Sequence, residues 1–150
     1  MGESRTPCAR VWGTAALAWV ALIGYLSSQP PAAMLGEHPG LDKWAHVLVF
    51  GVLGTLVLLA VSRTGLRSRW QAALLATLLV AASGLADETF QLTVPLRTFS
   101  LWDWLADVVG GGLGAGAAVV FMAVSRRTGG VPGKREALQP AVAHRPRGPR

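Results

Sequence analysis

The sequence predicts an all-α fold, an integral membrane bundle of four transmembrane helices with both termini cytoplasmic. Hydrophobic residues make up 51% of the 150-residue chain and charged residues only 15%, too apolar for an ordinary soluble domain. The apolar residues fall into long runs, each able to cross a bilayer at about 1.5 Å per residue. The basic residues gather in the tails and one connection, which is the asymmetry that orients membrane proteins.

Residues 1–10 form a polar tail with Arg5 and Arg10, followed by the apolar run Val11–Leu26. A basic stretch before an apolar one also fits a signal peptide, with Pro31, Ala32 and Ala33 as its cleavage zone, but the run is long enough to span. The opening MGESRT matches the myristoylation pattern, although a lipid adds little to a chain that already spans. The segment Ser27–Gly40, SSQPPAAMLGEHPG, ends the first helix with its proline and glycine. A second run, Leu41–Val61, opens on LDKWAH, and the basic connection SRTGLRSR follows at residues 62–69. The third helix is expected from Trp70 to Phe90, nearly all Ala, Leu and Val until Asp87. After a loop at Gln91–Ser100 comes the fourth, Leu101–Val124. The membrane domain thus covers residues 11–124, and residues 125–150 read as a disordered, proline-containing basic tail.

Of the 14 Lys and Arg residues, all but Lys43 and Arg97 lie in the tails or the 62–69 connection. In a four-helix topology those segments share one side, which the positive-inside rule makes cytoplasmic. The opposite side carries Lys43 and Arg97 with Glu37, Asp42, Asp87, Glu88, Asp103 and Asp107, so its chemistry faces outward. The net charge of +6 does not point to nucleic acid, because the bases form no face interleaved with aromatics. Cys8 is the only cysteine, which excludes an internal disulfide and a paired-cysteine metal site. No cofactor motif is present; the glycines at 110–116 follow no strand and are not a nucleotide loop.

Ionisable residues at the ends of membrane helices are a functional site by default. Asp42 and His46 share a helical face, as do Asp87 and Gln91, and Asp103 and Asp107, while Glu88 projects about 100° from Asp87. Simpler roles stand beside this. Asp42 and Asp103 suit helix N-termini, with Ser100 and Asp103 at capping-box spacing. His46 fits an interhelical hydrogen bond. Glu88 and Asp107 suit an ion-pair network with Arg97 and Lys43. Gly110, Gly111, Gly112, Gly114 and Gly116 read as a close-packing surface, on the strength of the Gly112/Gly116 pair, and a second copy of the chain would dock there. No metal is expected, because His46 has no second helical histidine at ligand spacing.

Taken together, DKWAHVLVF, the SSQPP after the first helix, DETFQ, and PLRTFSLWDWLADVVGGGLG resemble the VanZ-like membrane protein family, over roughly Val11–Val124. The family's pattern matches at Asp42, Lys43, His46, Glu88, Gln91, Pro95, Arg97, Asp103 and Gly110. Leu96 stands where the family often has Gly, and Asp107 where it often has Asn. The resemblance implies a link to low-level resistance to teicoplanin, a lipoglycopeptide acting on cell-wall precursors at the outer membrane face.

Three functions follow as expectations. In the first, the protein modulates the cell envelope and teicoplanin susceptibility by engaging a lipid or lipid-linked cell-wall headgroup. Asp42, Lys43, His46, Glu88, Gln91, Arg97, Asp103 and Asp107 are the binding candidates, with Arg97 and Lys43 holding the anion. The second is an enzyme using His46 with Glu88 or Asp87 as acid and base on a phosphorylated or glycosylated lipid; no serine or cysteine nucleophile stands beside His46. The third, proton-coupled transport, requires polar residues threading the bilayer, and these stop at one end.

Overall fold

The computed structural model describes residues 6–29, 40–64 and 68–128. These form four helices, α1 (Thr6–Ser27), α2 (Leu41–Val61), α3 (Arg69–Gln91) and α4 (Leu101–Thr128), and all four are long and apolar enough to cross a membrane. Helices suit that environment because they satisfy every backbone hydrogen bond internally. Two boundaries differ from expectation by more than one residue. Helix α1 begins at Thr6 rather than Val11, since Pro7 sits in the first turn, where a missing N–H removes no helical bond. Helix α4 runs on to Thr128, because nothing between Val124 and Thr128 breaks a helix. Residues 1–5, Pro31, Ala32, Ala33, Glu37, Arg67 and the tail from residue 129 lie outside the described residues.

Short local signals punctuate the chain. Gly40 precedes α2 with φ 95°, a left-handed conformation natural to glycine. Ser68 caps α3 by accepting the Trp70 N–H. Between α3 and α4 the Arg97 N–H donates to the Val94 carbonyl, with Pro95 second in the turn and Leu96 third at φ 69°. That is the signature of a type II turn, with leucine where glycine is favoured. The tight turn therefore forms despite the substitution, and Leu96, 90% exposed, adopts the strained conformation without packing against anything that would explain it.

Helices α2 and α4 run parallel, pack most extensively on each other, and form the axis of the bundle. Their approach depends on glycine: a Cβ at Gly54 would strike the backbone of Gly111, and one at Gly114 would strike the backbone of Gly51. Thr55 fastens the same seam by donating to the carbonyls of Gly51 and Gly114, each at 3.1 Å. Gly111 also makes room for Val80 of α3. Gly112, by contrast, only touches Thr77 at ordinary distance, and a Cβ at Gly116 would meet nothing. The close-packing surface is thus built from Gly110, Gly111 and Gly114 rather than the Gly112/Gly116 pair, and it is used within the chain.

Two apolar clusters fill the interior. Leu58, Ala72, Ala73, Ala76, Ala115 and Val119 pack α2, α3 and α4 at one end; Ala16, Ile23, Phe50, Leu53 and Val80 join α1 to α2 and α3. Helix α1 lies against α2 and α3, pinned by the Trp19 indole N–H donating to the Val49 carbonyl at 2.9 Å. Large apolar side chains such as Leu17, Leu48, Leu78, Leu113 and Phe121 point outward, as lipid-facing residues do. Exposed Trp44 and Trp102 at one end and Trp70 at the other sit where aromatic belts form.

The glycine seam makes opposite predictions for two neighbouring positions. Gly114→Ala should destabilise the detergent-solubilised protein by about 1–3 kcal/mol through overpacking. Gly116→Ala should be neutral or stabilising by up to about 1 kcal/mol, because alanine favours helix and the space is open. Thermal unfolding followed by circular dichroism distinguishes them.

Candidate functional site

The C-terminal ends of α1 and α3 meet the N-terminal ends of α2 and α4, and polar side chains from all four helices and the α3–α4 loop converge there. Because α2 and α4 are parallel, residues one turn apart on each form matching rungs. On the outer rung the Lys43 ammonium lies 3.2 Å from Asp42 and 3.1 Å from Asp103. One turn deeper, His46 Nδ1 lies 2.7 Å from Asp107 Oδ1. Lys43 and Asp42 are half exposed, whereas Asp107 is fully buried. The chain therefore passes from a solvated ion cluster to a largely buried pair within one helical turn, with Asp107 sealed and the His46 side chain 17% exposed.

Several side chains shape the buried level. Phe50, one turn below His46, stacks on its ring with centroids 6.1 Å apart. Gly84 of α3 opens the space that Asp107 occupies; a Cβ there would lie 2.7 Å from Asp107 Oδ2. Four residues on, Glu88 is also fully buried. Its Oε2 accepts the Ser100 N–H at 2.8 Å, just ahead of α4. In a capping box, the acidic residue three positions into the helix would take that N–H. Here Ser100 Oγ accepts the Asp103 N–H at 3.2 Å, but Asp103 turns its carboxylate to Lys43, and Glu88 from α3 takes its place. Among the described residues, Glu88 Oε1 and Asp107 Oδ2 remain buried with no hydrogen-bond partner. The ligand-capable atoms of His46, Glu88 and Asp107 lie within 4.8 Å of one another.

A second network ties α1 to the other helices. Ser27 Oγ donates to Asp87 Oδ2 at 2.7 Å, and Gln91 Nε2 donates to the same oxygen at 3.1 Å. Arg97 continues the chain: Nη1 donates to Gln91 Oε1 at 3.3 Å, and Nε and Nη2 donate to the Gln29 carbonyl at 3.3 and 2.9 Å. The guanidinium is thus held by neutral oxygens, and among the described residues no carboxylate contacts it.

The expected site residues divide accordingly. His46, Glu88 and Asp107 come together; Asp42, Lys43 and Asp103 form the outer cluster; Asp87, Gln91 and Arg97 form the chain to α1. Glu88 and Asp107 make no ion pair with Arg97 or Lys43 among the described residues, because Lys43 is taken by Asp42 and Asp103. The partner of His46 is Asp107; Asp87 is held by Ser27 and Gln91. Sequence reasoning did not single out Ser27, Gln29 or Gly84. The available signals were modest: Ser27 and Gln29 end a spanning helix at the level of the cluster, and Gly84 lies one turn from Glu88 on the same face.

Chemically, an ionised Asp107 fixes the neutral His46 with its proton on Nδ1, leaving Nε2 as an acceptor. Such a group can receive a proton, accept a hydrogen bond or ligate an ion, through Nε2 as it stands or through Nδ1 after a change of tautomer.

A protein-family model described as VanZ/LLP1 matches residues 12–122, a span that contains every residue of both networks. No curated protein and no solved structure matches the chain.

Gly84→Ala tests the geometry of the buried level. The added methyl should displace the Asp107 carboxylate, break its bond to His46 and lower stability by about 1–3 kcal/mol. The ¹⁵N resonances of His46 should shift toward those of an unpaired imidazole. Gly24→Ala, where a Cβ meets nothing, should leave those resonances unchanged.

Proposed function

The chain belongs to the VanZ/LLP1 family, and from that premise we propose that it modulates the cell envelope, and with it teicoplanin susceptibility, by engaging an anionic headgroup. In this reading it is a multi-pass protein of the cytoplasmic membrane, with both termini inside and the polar end at the outer leaflet. The distribution of Lys and Arg supports that orientation. Membrane lipids and lipid-linked cell-wall components are the partners that reach the polar end at headgroup depth.

The observation that carries the reading is the state of Arg97. Its guanidinium is positioned by the Gln29 carbonyl and Gln91 Oε1, and neutral oxygens orient the charge without neutralising it. Three of its five N–H donors are engaged in this way, leaving donors for a phosphate or carboxylate, the anions a guanidinium matches best. Lys43 contributes less, since two carboxylates already share its charge. Gln91 has a double role: it accepts from Arg97 and donates to Asp87, so the anchor is coupled to the seat of α1.

A second reading has its own support in the His46–Asp107 contact. A carboxylate that orients an imidazole with one nitrogen free is the minimum arrangement for a general base. Acting on a lipid-linked phosphate or glycan, His46 would take a proton from an attacking hydroxyl or water. In that case overexpression alters a lipid species and His46→Ala abolishes the change; an unchanged lipid profile counts against catalysis.

The principal test is teicoplanin susceptibility in a deletion strain complemented with wild type, Arg97→Gln or Arg97→Glu, at membrane levels matched by blotting. Wild type should restore the parental phenotype, Arg97→Gln should restore it only in part, and Arg97→Glu should resemble the empty vector. Full complementation by Arg97→Glu at matched levels would overturn the headgroup reading.

A further inference from the structure

Among the described residues, no lysine or arginine pairs with the two buried carboxylates that face His46. Glu88 and Asp107 both have no exposed surface, and each keeps one oxygen with no hydrogen-bond donor. An uncompensated carboxylate in such surroundings costs several kcal/mol. Neither nearby cation contacts these carboxylates among the described residues: Lys43 pairs with Asp42 and Asp103, and the Arg97 guanidinium is turned to Gln29 and Gln91. Hydrogen bonding within the described residues therefore leaves the cluster incomplete.

We infer that His46, Glu88 and Asp107 form a binding site for a divalent transition-metal cation, with one ligand each from α2, α3 and α4. Their ligand-capable atoms lie within 4.8 Å of one another, against about 3.4 Å between the ligands of a tetrahedral ion bound at about 2.1 Å. Binding therefore requires the side chains to rotate inward on the ion. Two carboxylates and a neutral imidazole carry a formal charge of −2, which a divalent cation cancels. The donor set selects among cations: imidazole favours Zn²⁺ and its neighbours, and carboxylates extend the range to Mn²⁺, whereas Mg²⁺ and Ca²⁺ prefer all-oxygen sites. With three protein ligands the ion keeps a position open for water or an anion.

The expectation of no metal considered ligand pairs along one helix, where His46 indeed has no histidine partner. The ligand set here comes from three helices, and no spacing within a single helix encodes it. The inference does not depend on the headgroup reading, because it uses neither Arg97 nor any lipid.

The test uses the full chain in phosphate-free detergent, with any affinity tag removed and bound metal stripped by a chelator. Titration with ZnCl₂ and MnCl₂ by calorimetry, followed by elemental analysis after gel filtration, should show one equivalent bound per chain. Binding should also raise the thermal midpoint, since the ion links three helices. Glu88→Gln and Asp107→Asn should each weaken binding by about tenfold or more, and the double variant should abolish it. Both substitutions keep the side-chain carbonyls that accept from Ser100 and His46, so the fold is spared. X-ray absorption on zinc-loaded wild type, which needs no variant, should show nitrogen and oxygen ligands including one imidazole. Absence of saturable binding by folded wild type would overturn the inference. So would one-equivalent binding that persists in the folded double variant, or a first shell containing sulfur.

Discussion

A carboxylate sealed inside an apolar bundle has only the protein to replace its water, and Asp107 shows how far this chain goes to provide that. It receives one short contact from His46 and sits in a space that Gly84 leaves open. The rest of the polar end depends on this placement. His46 reaches Asp107 because α2 and α4 run parallel at glycine-to-glycine distance. A bulkier seam would move the two helices apart and leave both groups without their partner. The glycines at 51, 54, 110, 111 and 114 are therefore as much a part of the site as the residues that carry charge. Each glycine weakens its helix by up to about 1 kcal/mol relative to alanine, a cost accepted for the close approach it permits.

The polar groups are layered by depth, and the layering separates their roles. Lys43, Asp42 and Asp103 are partly solvated, where ion pairs contribute little to stability but fix the local charge. Beneath them, Glu88 and Asp107 are withdrawn from water and His46 largely so; there an unsatisfied oxygen is costly and a bound ion or substrate has most to gain. To one side, Ser27, Asp87, Gln91, Arg97 and Gln29 bind α1 to the bundle through a relay of hydrogen bonds that ends in a charged group. Helix α1 makes no buried ionic contact of its own within the described residues, so this relay and the Trp19 bond to Val49 join the apolar packing of Ala16 and Ile23 in holding it.

Much of this architecture was legible in the sequence. The length of each apolar run defined the helices nearly to the residue for α2, and the alternating direction of successive spans dictates which ends meet, so Asp42, Glu88 and Asp103 had to share a level. What hydropathy does not encode is the rotation of each helix about its axis. That rotation decided that His46 faces Asp107 instead of Asp87, and that Lys43 satisfies Asp103 instead of Asp107. It was set by Gly51, Gly54, Gly111 and Gly114 acting in pairs across two helices, whereas a pattern within one helix, such as Gly112 with Gly116, does not mark the seam inside the chain. Leu96 is a different case: its position in the turn was readable, but its left-handed backbone was not, because leucine carries no signal for it. The turn forms because Pro95 and the Arg97 to Val94 bond specify it.

The central claim is that this polar end faces away from the cytoplasm, where a headgroup could reach it. Single cysteines placed in a Cys8→Ser background test it directly, at Leu96, 90% exposed in the turn beside the cluster, and at Thr64, exposed at the opposite end. In intact cells a membrane-impermeant thiol reagent should label Leu96→Cys, and should label Thr64→Cys only after the cells are permeabilised. Labelling of Thr64→Cys alone in intact cells would place the site in the cytoplasm and contradict the account.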